Sequence, residues 1–212
     1  MSMIHHEEMT CPLCGKAFSA TVVMSYSVNG AFRSLDGDPH EPVLYNAVHL
    51  CPHCGYVFTD PKKEPDFYTR MLVQGEDYQT VLQAESLPDT ARKLLLLGYL
   101  SEQKGDAGTA SAQYLHAYWY FRDNDLPEKE EARDKAIEGM KKYLETKGDL
   151  NAAMVLVDLL RQKGEFEEAL DAVNSLGKYA QGDETLLKTA AFEWRLIMAG
   201  DSNVHVFHEV EA

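Results

Sequence analysis

The sequence predicts an α+β chain with the two classes segregated by domain, a small β head followed by an all-α array of antiparallel helices. Three observations predict it. All four cysteines fall in two near-identical units, Cys11-Pro12-Leu13-Cys14-Gly15 and Cys51-Pro52-His53-Cys54-Gly55. The apolar pattern after Pro88 changes from the alternation of strands to a period of about 3.6 residues. Between the apolar segments of that second region, a glycine followed by Asp or Glu recurs as punctuation. The predicted parts are a head over residues 1–62, a connector over 63–87, a helical body over 88–200 and a tail over 201–212.

Each cysteine unit turns two sulfurs toward one point, and the glycine after the second cysteine permits the tight turn that this requires. Two such units make a closed four-sulfur site from Cys11, Cys14, Cys51 and Cys54, a zinc-ribbon-like head. Zn²⁺ is the expected ion, with iron the rival because paired CPxCG knuckles also occur in rubredoxin-like sites. His53 lies inside the second knuckle and His40 and His49 precede it; they are read as solvated or packing residues, or else as an exchanging ligand. A catalytic zinc needs an open coordination position and a base nearby, and four cysteines close the shell. The expected role is therefore structural.

The balance of charge excludes one class of partner. The chain carries a formal net charge of -14, and a zinc tetrathiolate would add about two more negative charges. Within residues 1–60 the basic side chains, histidine aside, are Lys16 and Arg33, against Glu7, Glu8, Asp36, Asp38, Glu41 and Asp60. Nucleic-acid binding needs the reverse balance, to displace counterions from phosphates. The polar start, with His5, His6, Glu7 and Glu8, does not resemble a signal peptide and reads as a flexible end. The aliphatic run Leu94–Leu97 is too short to cross a bilayer. Paired cysteines suit reduced metal ligands, so a soluble, cytoplasmic protein away from membranes is expected.

In the head, residues 17–28 are rich in β-branched and aromatic side chains and end at Asn29-Gly30, which predicts a strand and a turn. Asp36-Gly37-Asp38-Pro39 marks a further turn. Residues 43–50 predict a second strand that delivers Cys51, and Tyr56-Val57-Phe58 a third. So few short strands bury little apolar surface. A structural zinc would supply the difference, on the order of 10–16 kcal/mol of binding energy that appears as folding energy.

Pro61-Lys62-Lys63-Glu64-Pro65 closes the head. Residues 66–72 and 77–84 each predict a short helix, with Gly75 between them. Beyond Pro88 six helices are expected, over about 88–104, 107–122, 127–147, 149–163, 166–180 and 183–199. The marks that separate them are Gly105-Asp106, Gly148-Asp149, Gly164-Glu165, Gly182-Asp183 and Gly200-Asp201. Glycine takes the left-handed conformation that ends a helix, and the acid suits the next N-terminus. Expected core faces are Ala110, Tyr114, Ala117, Tyr118 and Phe121; Ala153, Leu156, Val157 and Leu160; Phe166, Ala169, Leu170 and Val173; and Leu187, Ala190, Ala191, Trp194 and Met198.

Gly148 to Gly182 spans 34 residues, the length of a tetratricopeptide (TPR) repeat. Leu97-Gly98, Ala110, Tyr114 and Ala117 fit TPR-like small and large positions around Gly105, whereas the segment from Gly164 fits the other frame. Trp119 and Tyr120 lie off the α-helical core stripe and are candidates for a groove or interface, or for further core. In the tail, residues 204–210 alternate, as a short terminal strand or a frayed end would, and His205 with His208 is a candidate metal pair. No phosphate-cradling glycine loop, nucleophile elbow or HExxH helix is present. Catalytic residues: none are expected.

The chain resembles the bacterial family known as domain of unknown function 2225. The likeness rests on Cys11-Pro12-Leu13-Cys14-Gly15 with Phe18, on Cys51-Pro52-His53-Cys54-Gly55-Tyr56, and on the segment Tyr114 to Arg122 followed by an acidic turn. The resemblance implies a metal-binding head joined to a helical repeat body, and no established activity. Read together, the residues predict a non-enzymatic module that binds a protein or peptide, possibly another copy of itself. The alternative is a metal- or redox-responsive regulator that uses the two cysteine pairs.

Overall fold

A computed structural model describes residues 3–25, 34–36, 42–176 and 183–210. It opens with an antiparallel hairpin of β1 (Met3–Thr10) and β2 (Ala17–Ser25), in which Thr10 faces Ala17 and His6 faces Thr21. The expected flexible end is thus a strand. Its polar composition had hidden it, because both side chains of the pair His5 and His6 remain exposed and the ladder is held by backbone bonds. The first cysteine unit is the loop of this hairpin.

The second unit repeats the device on a smaller scale. It joins β3 (His49–Leu50) to β4 (Val57–Phe58), which pair antiparallel. The strand expected over residues 43–50 forms only at its last two positions, since Pro42–Asn46 is a short helix, α1. Without a partner strand alongside, that segment gains no ladder bonds, and local helical turns satisfy its backbone instead. The predicted Asn29-Gly30 turn, the end of the strand at residues 26–28 and the turn residues after Asp36 lie outside the described residues.

The connector forms the two helices expected of it, α2 (Phe67–Gln74) and α3 (Glu76–Gln83). Asp66 caps α2 by accepting a bond from the Thr69 amide at 2.7 Å. The remaining helices are α4 (Asp89–Gln103), α5 (Ala107–Asp123), α6 (Lys129–Leu144), α7 (Leu150–Lys163), α8 (Phe166–Leu176) and α9 (Glu184–Ala199). Asp106, Asp149 and Asp183 each cap the helix that follows, and Gly105, Gly164 and Gly200 have φ of 75°, 86° and 66°. At these positions the punctuation acts as its chemistry requires; Gly148, expected to do the same, is not in the left-handed region, and there the cap of Asp149 alone marks the next helix. The Gln181-Gly182 part of it, with the end expected for α8, lies outside the described residues.

Two compact units divide the chain. The first comprises Met1–Val28 and Glu41–Ala136, so it holds the head together with α2 to α5. Here α4 packs on α5, and Tyr78, Leu94, Leu96, Ala117 and Phe121 are fully buried. Gly98 lies against the Tyr114 ring so closely that a Cβ would stand 2.6 Å from it.

The second unit comprises Asn29–His40 and Ile137–Ala212. Its centre is α7, which packs on α8 and α9 and is buried nearly all round from Leu156 to Gln162. The inner face of α9 is Leu186, Thr189, Glu193 and Ile197. The expected core stripe of that helix is instead outward: Leu187 and Trp194 are 44% exposed and Met198 59%. The cause is polar. Fully buried Arg161 on α7 donates to Glu193 at 2.8 Å, and this ion pair turns α9 away from the face that hydrophobicity alone favours.

Around Arg161 the second unit builds a buried polar cluster. Arg161 also pairs with Asp158, and donates to the backbone oxygens of Asp201 and Asn203 at 2.7 and 2.8 Å. Gln162 donates to Asp158 at 2.7 Å and to Asp36 at 3.3 Å. Asp36 accepts from Ser34 at 2.6 Å, and Ser34, Leu35 and Asp36 are all buried. The tail closes on this segment through the Leu35 amide and the His205 oxygen, 2.9 Å apart, and a bridge between Ser34 and Val206. It then forms a single 3-10 turn, Phe207–Glu209, in place of a strand.

Candidate metal centre

The site grows from two copies of one backbone turn. In the first, the Cys11 amide donates to the Lys16 oxygen at 3.0 Å and the Gly15 amide to the Cys11 oxygen at 2.9 Å. In the second, Cys51 donates to Tyr56 and Gly55 to Cys51, both at 2.9 Å. Gly15 and Gly55 share a φ of 72°, which a side chain rarely adopts. Gly55 has a further reason to be glycine, since a Cβ there would meet the Leu82 side chain at 2.2 Å.

These turns bring all four predicted ligands together. The sulfurs of Cys11, Cys14, Cys51 and Cys54 lie within 4.8 Å of one another. Cys11 and Cys54 are 3.7 Å apart and Cys14 and Cys51 3.8 Å. Disulfide sulfurs would be bonded at about 2.0 Å, whereas four bonds of about 2.3 Å to a tetrahedral ion place sulfurs about 3.8 Å apart. The donor set and its spacing fit a four-coordinate metal ion, and tetrahedral sulfur suits zinc or iron.

Electrostatics point the same way. Burial pushes the thiols of Cys11 and Cys54 up. Cys14, exposed, is brought down to about 7, first by the Lys16 backbone amide. Four neighbouring thiolates would repel one another, and a bound dication would supply the missing positive charge. With its shell filled by four sulfurs, such an ion would hold the two knuckles together and leave no position for a substrate.

Side chains from the connector support the centre. Tyr78, fully buried on α3, donates to the Gly55 oxygen at 2.7 Å and accepts from the Val57 amide at 3.2 Å. Arg70 on α2 reaches the Leu13 oxygen in the first knuckle at 3.4 Å. Phe18 and Phe58 meet edge to face, 6.3 Å between centroids. Neither Tyr78 nor Arg70 stood out in the sequence as part of the site, because nothing in a helical segment announces a bond to a loop.

Among the described residues no histidine joins the sulfur cluster. His53 reaches the Ala17 oxygen with Nε2 at 3.1 Å. His49 packs on Phe58, 5.7 Å between ring centroids. His205 places Nδ1 2.6 Å from Glu209 and Nε2 3.2 Å from Asp201, so carboxylates occupy both nitrogens. His40 lies outside the described residues. Trp119 is buried, stacked obliquely on His116 at 5.2 Å, and thus belongs to the core reading; Tyr120 is half-buried and meets Tyr45 edge to face. The Asp158, Arg161 and Glu193 cluster does not announce itself in the sequence; its visible trace is the lone charge of Asp158 inside the apolar run Met154 to Leu160. Among the described residues no helix is long and apolar enough to cross a membrane.

Compared with family models, curated proteins and solved structures, the chain matches none.

Proposed function

We propose that this protein is a non-enzymatic, cytoplasmic interaction module. Its head is folded around Zn²⁺ held by Cys11, Cys14, Cys51 and Cys54, and its helices present a surface to a protein or peptide, a second copy included, rather than to nucleic acid or a membrane. The observation that carries the reading is the outward stripe of α9. Leu187, Ala191, Trp194 and Met198 are all exposed along one face of that helix, and terminal helices of repeat arrays are ordinarily polar on the outside. The helix pairs α4 with α5 and α7 with α8, turned at Gly105 and Gly164, support a TPR-like reading, as does the small-against-large contact of Gly98 with Tyr114. The same order of knuckles and helices supports membership of the domain of unknown function 2225 family.

The test is native affinity capture of the full chain, with and without chelator, beside a Trp194→Ser, Met198→Ser variant. The reading expects a partner that the variant fails to retain. Capture that returns nothing beyond the protein itself, with no self-association, contradicts it.

One observation favours a second reading, a redox-responsive regulator: Cys14 is exposed while Cys11 and Cys51 are buried. Under that reading, mild peroxide releases the metal and changes partner binding. Metal retained under such treatment removes it.

A further inference from the structure

The first unit contains a cavity of about 740 Å³ between the second knuckle and the start of α4, within the size range of small-molecule sites. Phe18, Val48, Leu50 and Leu82 give it an apolar side, and Ser19, Thr21, Asn46 and Thr90 a polar one. Its charged or titratable lining, apart from the metal-site cysteines Cys51 and Cys54, is His49, His53, Asp89, Arg92 and Lys93. Four of these five are basic, in a chain whose acids outnumber its lysines and arginines by 34 to 20.

The five groups are not equivalent. His53 places Nε2 3.1 Å from the Ala17 oxygen. Asp89 directs its carboxylate outward, 88% exposed, and pairs there with Arg92. Arg92 is committed to structure, donating to the Ala84 and Leu87 oxygens at 3.0 and 2.7 Å, though its buried Nε has no partner. Lys93 is different. It is half-buried, and among the described residues no carboxylate stands within ion-pair distance of its ammonium group. The largely buried arginines Arg92, Arg122, Arg133 and Arg161 each sit on a carboxylate. Burial pushes the Lys93 pKa down, and the Asp89 carboxylate, beyond ion-pair distance, offsets this only in part.

A half-buried cation facing a cavity with an apolar side asks for an anion that brings apolar surface with it. We propose that this cavity binds a small organic carboxylate, its charge on Lys93 and its apolar body against Phe18, Val48, Leu50 and Leu82. The site is independent of any partner on α9. The competing role for Lys93 is counter-charge to the neighbouring thiolate centre, which the test separates.

Benzoate and its neutral isostere benzamide are titrated into the full, metal-loaded chain, read by the backbone amide shifts of Val48, Leu82 and Lys93. Benzoate is expected to bind with a dissociation constant on the order of 1 mM, as for a fragment of that size. Benzamide should bind at least about tenfold more weakly, a difference of about 1.4 kcal/mol. Lys93→Met should lose the preference for benzoate, and Lys93→Arg, which keeps charge and packing, should retain it. The proposal is overturned if benzoate produces no shifts at these amides, if benzamide or inorganic phosphate matches it, or if folded Lys93→Met or Lys93→Arg fails those expectations. Loss of metal from Lys93→Met with benzoate binding unchanged would assign Lys93 to the thiolate centre and likewise overturn it.

Discussion

The Tyr78 phenol and the Gly55 carbonyl oxygen lie 2.7 Å apart, which ties α3 to the second cysteine knuckle. The same phenol accepts from the Val57 amide at the start of β4. One side chain thus satisfies two backbone groups that flank Tyr56, in a place where Tyr78 itself is fully buried. The knuckle is held from outside as well as by its sulfurs.

Tyr78→Phe removes that oxygen and keeps the ring. It leaves the Gly55 oxygen and Val57 amide without their partner, at a cost of about 1–3 kcal/mol. The expected result is a lower unfolding midpoint and easier loss of metal to a chelator. Denaturant unfolding followed with metal release checks both, and an unchanged release rate contradicts the role given to Tyr78.

Arg161 is the second structural centre. Replacing it alone, as Arg161→Met, leaves Asp158 and Glu193 buried without their cation, and a loss of about 3–5 kcal/mol is expected. Adding Asp158→Leu and Glu193→Leu to that variant should recover part of the loss, because the uncompensated charges are gone. Urea unfolding of the single and triple variants measures it, and a triple variant less stable than the single one contradicts the account.

The same cluster sets a dependence on pH. Burial, then the neighbouring carboxylates Glu193 and Asp36, push Asp158 well up, and burial also raises Glu193. A carboxyl whose folded pKa lies above its unfolded one holds its proton more tightly when folded. Its contribution is therefore complete at acid pH below the unfolded value and falls as pH rises through the folded value. Asp158→Asn, which keeps shape without titrating, should flatten the decline above pH about 4. Equal slopes in the variant and the parent would contradict this.

His116 works in the opposite direction. Burial lowers its pKa from 6.5 to about 4, so the folded state resists a proton that the unfolded chain accepts. Stability is lost as pH falls from about 6.5 toward 4, by up to about 3 kcal/mol. His116→Phe should remove that acid-side loss. The check is the unfolding free energy of parent and variant at pH 5 and pH 7, and a variant that keeps the full difference contradicts the assignment.

Much of this architecture is legible in the residues. The sulfur site follows from the spacing of Cys11, Cys14, Cys51 and Cys54, since a turn that brings two sulfurs together leaves few alternatives. Helices α2 to α9 follow from period and capping residues, which are local. Three features escaped because they are set by contacts distant in sequence. Strand β1 is polar and exists through its ladder with β2. The segment before Cys51 has strand-forming residues but folds at Pro42–Asn46 into a helix. The outward face of α9 is decided by Glu193 meeting Arg161, 32 positions apart in sequence. Hydrophobic pattern alone selects the other face.

The central claim is that a metal ion on four cysteines folds the head. Hydrogen exchange of the full chain, compared before and after chelation, tests it most directly. Structural zinc contributes on the order of 10–16 kcal/mol of folding energy in small modules. Amides of β1 and β2 should therefore lose protection on chelation, and in Cys51→Ser, while those of α7 and α8 keep theirs. Protection of β1 and β2 that survives metal removal unchanged would contradict the account.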